Sequence, residues 1–409
     1  MHIAFITFEY PPDIDQGGIA TYTLQVATLL QQCGHDVEVF SGSYSRDETE
    51  IFKNVKTHRI KIKDVNDFRH RVVTKFTERH LEKSFDIIES PEINGNGLEI
   101  KKAFKNVPLT VKLHTASVFQ VKILNTYLPL SKKLRFVLGA VKQGRIDLGY
   151  WSKKDKNQLN DVDYQITQLA DSLSAPSHSM KKWAIDFWEI KPNKIDVIPY
   201  PYIPDKRLLQ IPLETNSGIV TFHGKLNVHK GLVAMSEIIP NVLKKCDGIK
   251  FRLAGKNDNS HIPGVSMQEF LENKLKKYLN HIEFTGPLSL ETIPEFLSSS
   301  DLCIFPSIWD NFPLVCLEAM SAGRAIIASN EGGMKDMLEP NGCGILLNPF
   351  DIKGFVNSTI FLLKNPLKRS ELGNLARNKI LNNFNAQISE KQIINFYNNT
   401  IQKSINNLS

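Results

Sequence analysis

Lys225 and Lys230 bracket the loop HGKLNVHKG, while Asp310 and Glu318 sit with seven residues between them in DLCIFPSIWDNFPLVCLEAMSAGRAIIASNEGGMKD, residues 301–336. Ammonium groups act as rotatable point charges on phosphate oxygens. Carboxylates accept hydrogen bonds from pairs of hydroxyls. The set therefore suits a ligand with a diphosphate between two hydroxyl-bearing parts. The intervening sequence shows how the acids are held. Leu302 to Phe305 is a short apolar run stopped by Pro306 and Ser307, the pattern of a buried parallel strand. Asn311 is placed to cap the helix that follows, Pro313 fits its first turn, and Gly323 suits its exit. Free amides and the dipole at that N-terminus favour an anion, so Phe312, Pro313 and Leu314 frame a diphosphate site that needs no metal. Leu314 and Glu318 share a helix face, which puts the carboxylate about one turn below those amides and within reach of a vicinal diol such as ribose. Asp310, on the loop above, is set to accept from hydroxyls of an attached sugar. Spacing alone favours a capped surface helix carrying two solvated acids.

The elements that position such a site recur in both halves. Ile3 to Phe8 reads as a buried strand, followed by a loop with Pro11, Pro12, Gly17 and Gly18, a helix from Ala20 to Gln32 and a strand from Val37 to Phe40. This is a βαβ unit with its loop at the ligand edge of the sheet. The fingerprint G-x-G-x-x-G is absent, which argues against a dehydrogenase, and the Gly17-Gly18 pair serves either a tight turn or close approach to a ligand. Strand Phe85 to Glu89 runs into ESPEINGNG, and strand Leu109 to Leu113 ends in His114-Thr115. His114 reads as a satisfied strand-end histidine or a ligand contact. Glu89 and Glu92 read as solvated loop acids or as acids facing an acceptor. Strands at 171–175 and 195–198 precede IPYPYIPD, where Pro199, Pro201 and Pro204 interrupt regular structure and mark a linker. Strands then restart at 219–222, 251–254 and 282–285. Two doubly wound α/β domains follow from this repetition, spanning residues 1–205 and 206–385, with an asparagine-rich helical tail at 386–409.

The C-terminal half resembles the signature of the large family-four retaining glycosyltransferases of GT-B architecture. In that family an acid, seven residues and a glutamate precede an Ala-Met helix, a small-Gly turn, a strand and a Gly-Gly pair; Asp310, Glu318, Ala319-Met320, Ala322-Gly323, residues 325–329 and Gly332-Gly333 hold those places here. Gly224-Lys225-Leu226 and Lys230-Gly231 match the family's Gly-Arg-Leu and Lys-Gly, with lysine replacing arginine. Asp310 is one methylene shorter than the usual glutamate, and Tyr200-Pro201 stands where Asn-Gly is common. The resemblance covers most of residues 1–365 and is strongest from 219 to 338. It implies two Rossmann-like domains facing across a cleft, with the C-terminal helix crossing back to the first. It also implies transfer of a sugar, with retention, from a nucleoside-diphosphate sugar to a hydroxyl of a carbohydrate or lipid-linked acceptor, in surface polysaccharide or glycolipid assembly. By the same resemblance, Gly17 and Gly18 face donor phosphates or acceptor and His114 contacts the transferred sugar. A catalytically weak binding subunit and a GT-B sugar-nucleotide epimerase are the alternatives.

At 409 residues and 42% hydrophobic content, the chain is long enough for two to three domains with cores. Five scattered cysteines without a C-x-x-C pair indicate neither a disulfide framework nor a zinc site and suit a reducing cytoplasm. The opening HIAFITF has no signal-peptide pattern, and no run approaches the length of a membrane span. The formal charge of +7, from 50 basic and 43 acidic residues, suits anionic partners, but no nucleic-acid motif accompanies it. Residues 120–165 are rich in lysine and arginine, including Lys122, Lys132, Lys133, Arg135 and Lys142. Interleaved with these are Phe136, Val137, Leu138 and Val141, so an anionic membrane surface at the inner face is a candidate partner. The pairs Asp13/Asp15 and Asp161/Asp163 have DxD spacing, but neither follows a convincing mid-domain strand, and no metal or other cofactor is expected.

Overall fold

Strands covered on both faces have no polar side to alternate with, so the uninterrupted apolar runs of this chain become the centres of parallel sheets. A computed structural model describes residues 1–14, 17–116, 118–119, 134, 138, 141, 158–262, 264–339 and 342–408. The chain divides into two compact units, Met1–Pro201 with Ala386–Ser409, and Tyr202–Asn385. Asp15 and most of the basic segment, including Lys122, Lys132, Lys133, Arg135, Phe136, Val137 and Lys142, lie outside the described residues. Within that segment, Leu134, Leu138 and Val141 are described and exposed.

The first unit contains β1 (His2–Thr7), β2 (Asp36–Ser43), β3 (Glu48–Phe52), β4 (Val55–Lys61), β5 (Ile87–Pro91), β6 (Leu109–Lys112), β7 (Ser172–Ala175) and β8 (Ile195–Val197), in the order β3-β4-β2-β1-β5-β6-β7-β8. Every neighbour is parallel except the edge hairpin β3–β4. That hairpin has no counterpart in the sequence reading, because its strands mix charged and apolar residues. Its turn uses Lys53 and Asn54 at φ 50° and 66° in place of the usual Asn-Gly. Strand order reverses between β1 and β5, so the loops leaving them open at one edge. The helix Ala386–Leu408 belongs to this unit and buries Ile393, Phe396, Tyr397 and Thr400, one face at helical spacing, with the asparagines largely on the other.

The second unit contains β9 (Ile219–His223), β10 (Lys250–Ala254), β11 (Ile282–Gly286), β12 (Leu302–Phe305), β13 (Ala325–Ser329) and β14 (Ile345–Leu347), in the order β11-β10-β9-β12-β13-β14. All its pairings are parallel. Counted from β9, this is the doubly wound order 3-2-1-4-5-6, whose ligand crevice lies where the first and fourth strands part. Those two strands are β9 and β12, with Leu302 opposite Val220. The core beneath them includes Val220, Phe222, Leu253, Leu302, Ile304 and Ile327.

Candidate functional site

In the second unit the loops after β9, β12 and β13 converge because glycines let their backbones touch. At Gly231, φ is 78° and an added Cβ would lie 1.9 Å from the carbonyl oxygen of Pro306, so the lysine loop lies directly on the exit of β12. At Gly332 and Gly333 an added Cβ would lie 2.0 and 2.1 Å from the carbonyl oxygens of Asp310 and Asn311. The Gly333 amide donates to the Asp310 carbonyl at 2.8 Å. Two helices start at this edge, Leu232–Leu243 and Leu314–Ser321, and neither has a side-chain cap.

The start of the second of these helices corrects the expected capping. Pro313 is itself the N-cap, with extended ψ of 114°, and Asn311 lies two residues upstream. A proline ring disfavours helical backbone in the residue before it, which keeps Phe312 outside the helix. Phe312 is buried, its ring 6.0 Å from that of Phe384. Gly323 closes the helix at φ 65°, and Arg324 N–H returns to the Ala319 carbonyl at 3.0 Å. Lys230 Nζ forms an ion pair with Asp310 Oδ2, so the expected phosphate-binding cation and sugar-binding acid are partners of each other. Lys225 is exposed.

Glu318 points into this edge without a hydrogen-bond donor. Its side chain is 15% exposed, and Oε2 is buried with no hydrogen-bond partner. Burial pushes its pKa up to about 7. Facing it at 3.4 Å is Nδ1 of His223, likewise buried without a hydrogen bond, and burial pushes this imidazole down to about 4. His223 is the last residue of β9, and a strand ended at Phe222 leaves it unnoticed in the sequence.

In the first unit His114 follows β6, and its backbone N–H is held 2.8 Å from both oxygens of Glu92, which also accepts from Thr115 N–H at 2.9 Å. Tyr200 Oη lies 2.8 Å from His114 Nδ1. Burial and the neighbouring Lys112 ammonium push His114 down to about 3, leaving it neutral at physiological pH. Glu89 and Glu92 are 3% and 0% exposed, which corrects the reading of them as solvated loop acids. Glu89 accepts from Tyr22 Oη at 2.8 Å and from Tyr397 Oη at 2.7 Å. Glu92 clamps the backbone that carries His114, and burial, helped by the Asp163 carboxylate, pushes it up to about 8. Gly17 is the N-cap of helix Gly18–Gln32 at φ 107°, and an added Cβ at Gly17 or Gly18 would meet nothing within 4 Å.

The described aspartates of the two spaced pairs, Asp13, Asp161 and Asp163, have structural partners. Asp13 receives Arg46 Nη2 at 2.7 Å. Asp161 caps helix Val162–Leu169, and Asp163 accepts from Asn94 N–H at 2.7 Å. Among the described residues His2, Asp36 and Glu38 are near enough together to hold a metal, but Glu38 is already engaged by His58 and Arg79 at 2.7 and 2.8 Å. The five cysteines are free thiols, and no described helix is long and apolar enough to cross a membrane.

The family model Glycosyltransferase Family 4 matches residues 16–206, and the model Glycosyl transferases group 1 matches residues 207–379. An uncharacterized glycosyltransferase of Methanocaldococcus jannaschii is 23% identical over 375 residues, 85% of each chain. Among solved structures, sucrose-phosphate synthase from Thermosynechococcus elongatus superposes with a TM-score of 0.72 at 19% identity, covering 98% of this chain and 99% of that one. Anabaena HepE in complex with UDP superposes with a TM-score of 0.68 at 16% identity, covering 98% and 100%. These superpositions carry the fold, and the two family models account for both units in turn.

Proposed function

The chain belongs to the family-four glycosyltransferases of GT-B architecture, and from that premise we propose that it moves a hexose, with retention and without a metal, from a nucleoside-diphosphate sugar to a hydroxyl acceptor. The observation that carries this reading is Glu318, a buried carboxylate lacking a donor, one turn into an uncapped helix at the strand-order reversal. Its oxygens suit the ribose diol, and the amides of Leu314 and Val315 suit the diphosphate. UDP in the HepE structure supports a nucleoside diphosphate as the ligand class.

In the reaction the bond between the anomeric carbon and the diphosphate oxygen breaks, and the diphosphate leaves with the electron pair. An acceptor oxygen attacks from the same face, and its proton passes to the departing phosphate oxygen. Preorganised cations and amides lower the barrier by meeting the charge that develops on the leaving group. Lys230 and Lys225 supply that charge; Lys230 turns from Asp310 to phosphate, freeing Asp310 for sugar hydroxyls. His114, neutral and fixed by Glu92 and Tyr200, is assigned to the transferred sugar, and Gly17 and Gly18 leave room for phosphate or acceptor. The acceptor class is a carbohydrate or lipid-linked saccharide of surface polysaccharide or glycolipid assembly, at the cytoplasmic face of a membrane.

The test is transfer from a panel of nucleotide sugars by Glu318→Ala and Lys230→Ala proteins that remain folded. Loss in both supports the site, and full activity in both refutes it. The engagement of Lys230 by Asp310 favours one rival, a weakly catalytic binding subunit, which would bind donor without turnover across a broad acceptor panel.

A further inference from the structure

Glu318 is held in a setting that opposes its own ionisation. A buried carboxylate oxygen without a donor forfeits hydrogen bonds that water would provide, yet a carboxylate that accepts from a diol binds best when charged. The side chain placed to resolve this conflict is His223, whose Nδ1 stands 3.4 Å from Oε2. Its ring lies against Phe296, with centroids 5.9 Å apart at 64°. Arg252 also stacks over the Phe296 ring at 4.5 Å. The other titratable group whose charge Glu318 influences is Tyr202, which burial keeps a neutral phenol hydrogen-bonded with Ser321 at 3.1 Å. No other cation among the described residues forms an ion pair with Glu318.

Resting on the donor-site reading above, we propose that His223 is a positioning residue of the nucleotide site: when Glu318 ionises, the neutral imidazole closes from 3.4 Å to donate Nδ1–H to Oε2, supports the charged carboxylate, and leaves the remaining lone pairs for the ribose hydroxyls. Nucleotide binding then releases the proton that the empty site keeps on Glu318. Below about pH 7 the empty site is protonated, so binding must expel a proton and affinity climbs with pH; above that value the carboxylate is already charged and affinity levels off. His223 stays neutral throughout this range, so the profile reports Glu318. Removing the donor makes the carboxylate harder to ionise and moves the rise to higher pH.

The experiment is calorimetric titration of the full chain with UDP, GDP and ADP from pH 5.5 to 8.5, in buffers of different ionisation enthalpy so that released protons are counted. Wild type is compared with His223→Val and His223→Asn, the second retaining an N–H donor where Nδ1 stands. The nucleotide's own terminal phosphate titrates in the same range, so differences between variants are the readout. The proposal predicts that His223→Val moves the rise in affinity upward by about one pH unit, about tenfold weaker binding near pH 6.5, while His223→Asn stays close to wild type. Binding and proton release by His223→Val that match wild type overturn the role of His223 alone. Failure of wild type to bind any of the three nucleotides overturns the donor site itself, and this role with it.

Discussion

Replacing Glu318 by glutamine should make the unliganded protein more stable while abolishing its affinity for nucleotide. Burial raises the folded-state pKa to about 7 from the ordinary 4.5. The unfolded chain loses this proton near 4.5 and the folded chain holds it to about 7, so between those values the folded state binds more protons. Stability therefore falls as pH rises through this window and stays low above it. At 1.36 kcal/mol per pH unit, the interval of about 2.5 units corresponds to about 3 kcal/mol at pH 8. Glutamine has the same shape, keeps hydrogen-bonding atoms and never ionises. Urea unfolding of wild type and Glu318→Gln, at pH 4 and at pH 8, isolates the contribution because every other titrating group cancels in the difference. The expected result is a variant up to about 3 kcal/mol more stable at pH 8, converging with wild type at pH 4. A variant that is equally or less stable at pH 8 refutes the claim that this carboxylate is strained by burial.

Gly18→Ala should leave the unfolding midpoint within the range of a neutral surface change, about 0.5 kcal/mol, because an added Cβ meets nothing; weaker donor binding, measured by titration, would mark the loop as a ligand contact. Tyr397→Phe removes one of two donors from the buried Glu89 carboxylate, so urea unfolding should show a loss of about 1–3 kcal/mol. Asp310→Asn releases Lys230 from its ion pair. Nucleoside-diphosphate binding should tighten and become more salt-sensitive while sugar transfer falls, as read by calorimetry and a transfer assay on the same preparation.

Much of this architecture is written locally in the chain. Leu302 to Phe305 is apolar without alternation because both faces are covered, Ile219 to Phe222 departs from that pattern only at Thr221, and each lies in a strand of the second sheet. The β3–β4 hairpin is illegible because Glu48, Glu50, Lys56 and Arg59 break its apolar pattern, and the buried Arg59 is satisfied by Glu50 across the hairpin and by long-range bonds to the Tyr10 and Pro11 carbonyls and Ser41. Site residues divide in the same way. The spacing of Asp310, Pro313 and Glu318 conveys a loop and a helix, but the start of that helix depends on the backbone bias of Pro313. The acids of ESPEINGNG look solvated because their partners are remote: Glu89 meets Tyr397, 308 positions away, and Glu92 meets His114, 22 positions away. His223 escaped notice for a related reason, since its meaning comes from the Glu318 carboxylate of another βα unit.

The most direct test of the donor site is titration of the purified full-length chain with UDP, GDP and ADP in EDTA, alongside Glu318→Ala. Saturable one-to-one binding of one nucleotide by wild type, lost in the variant, is the expected result. No binding of any nucleotide, or binding undiminished by Glu318→Ala, would contradict it.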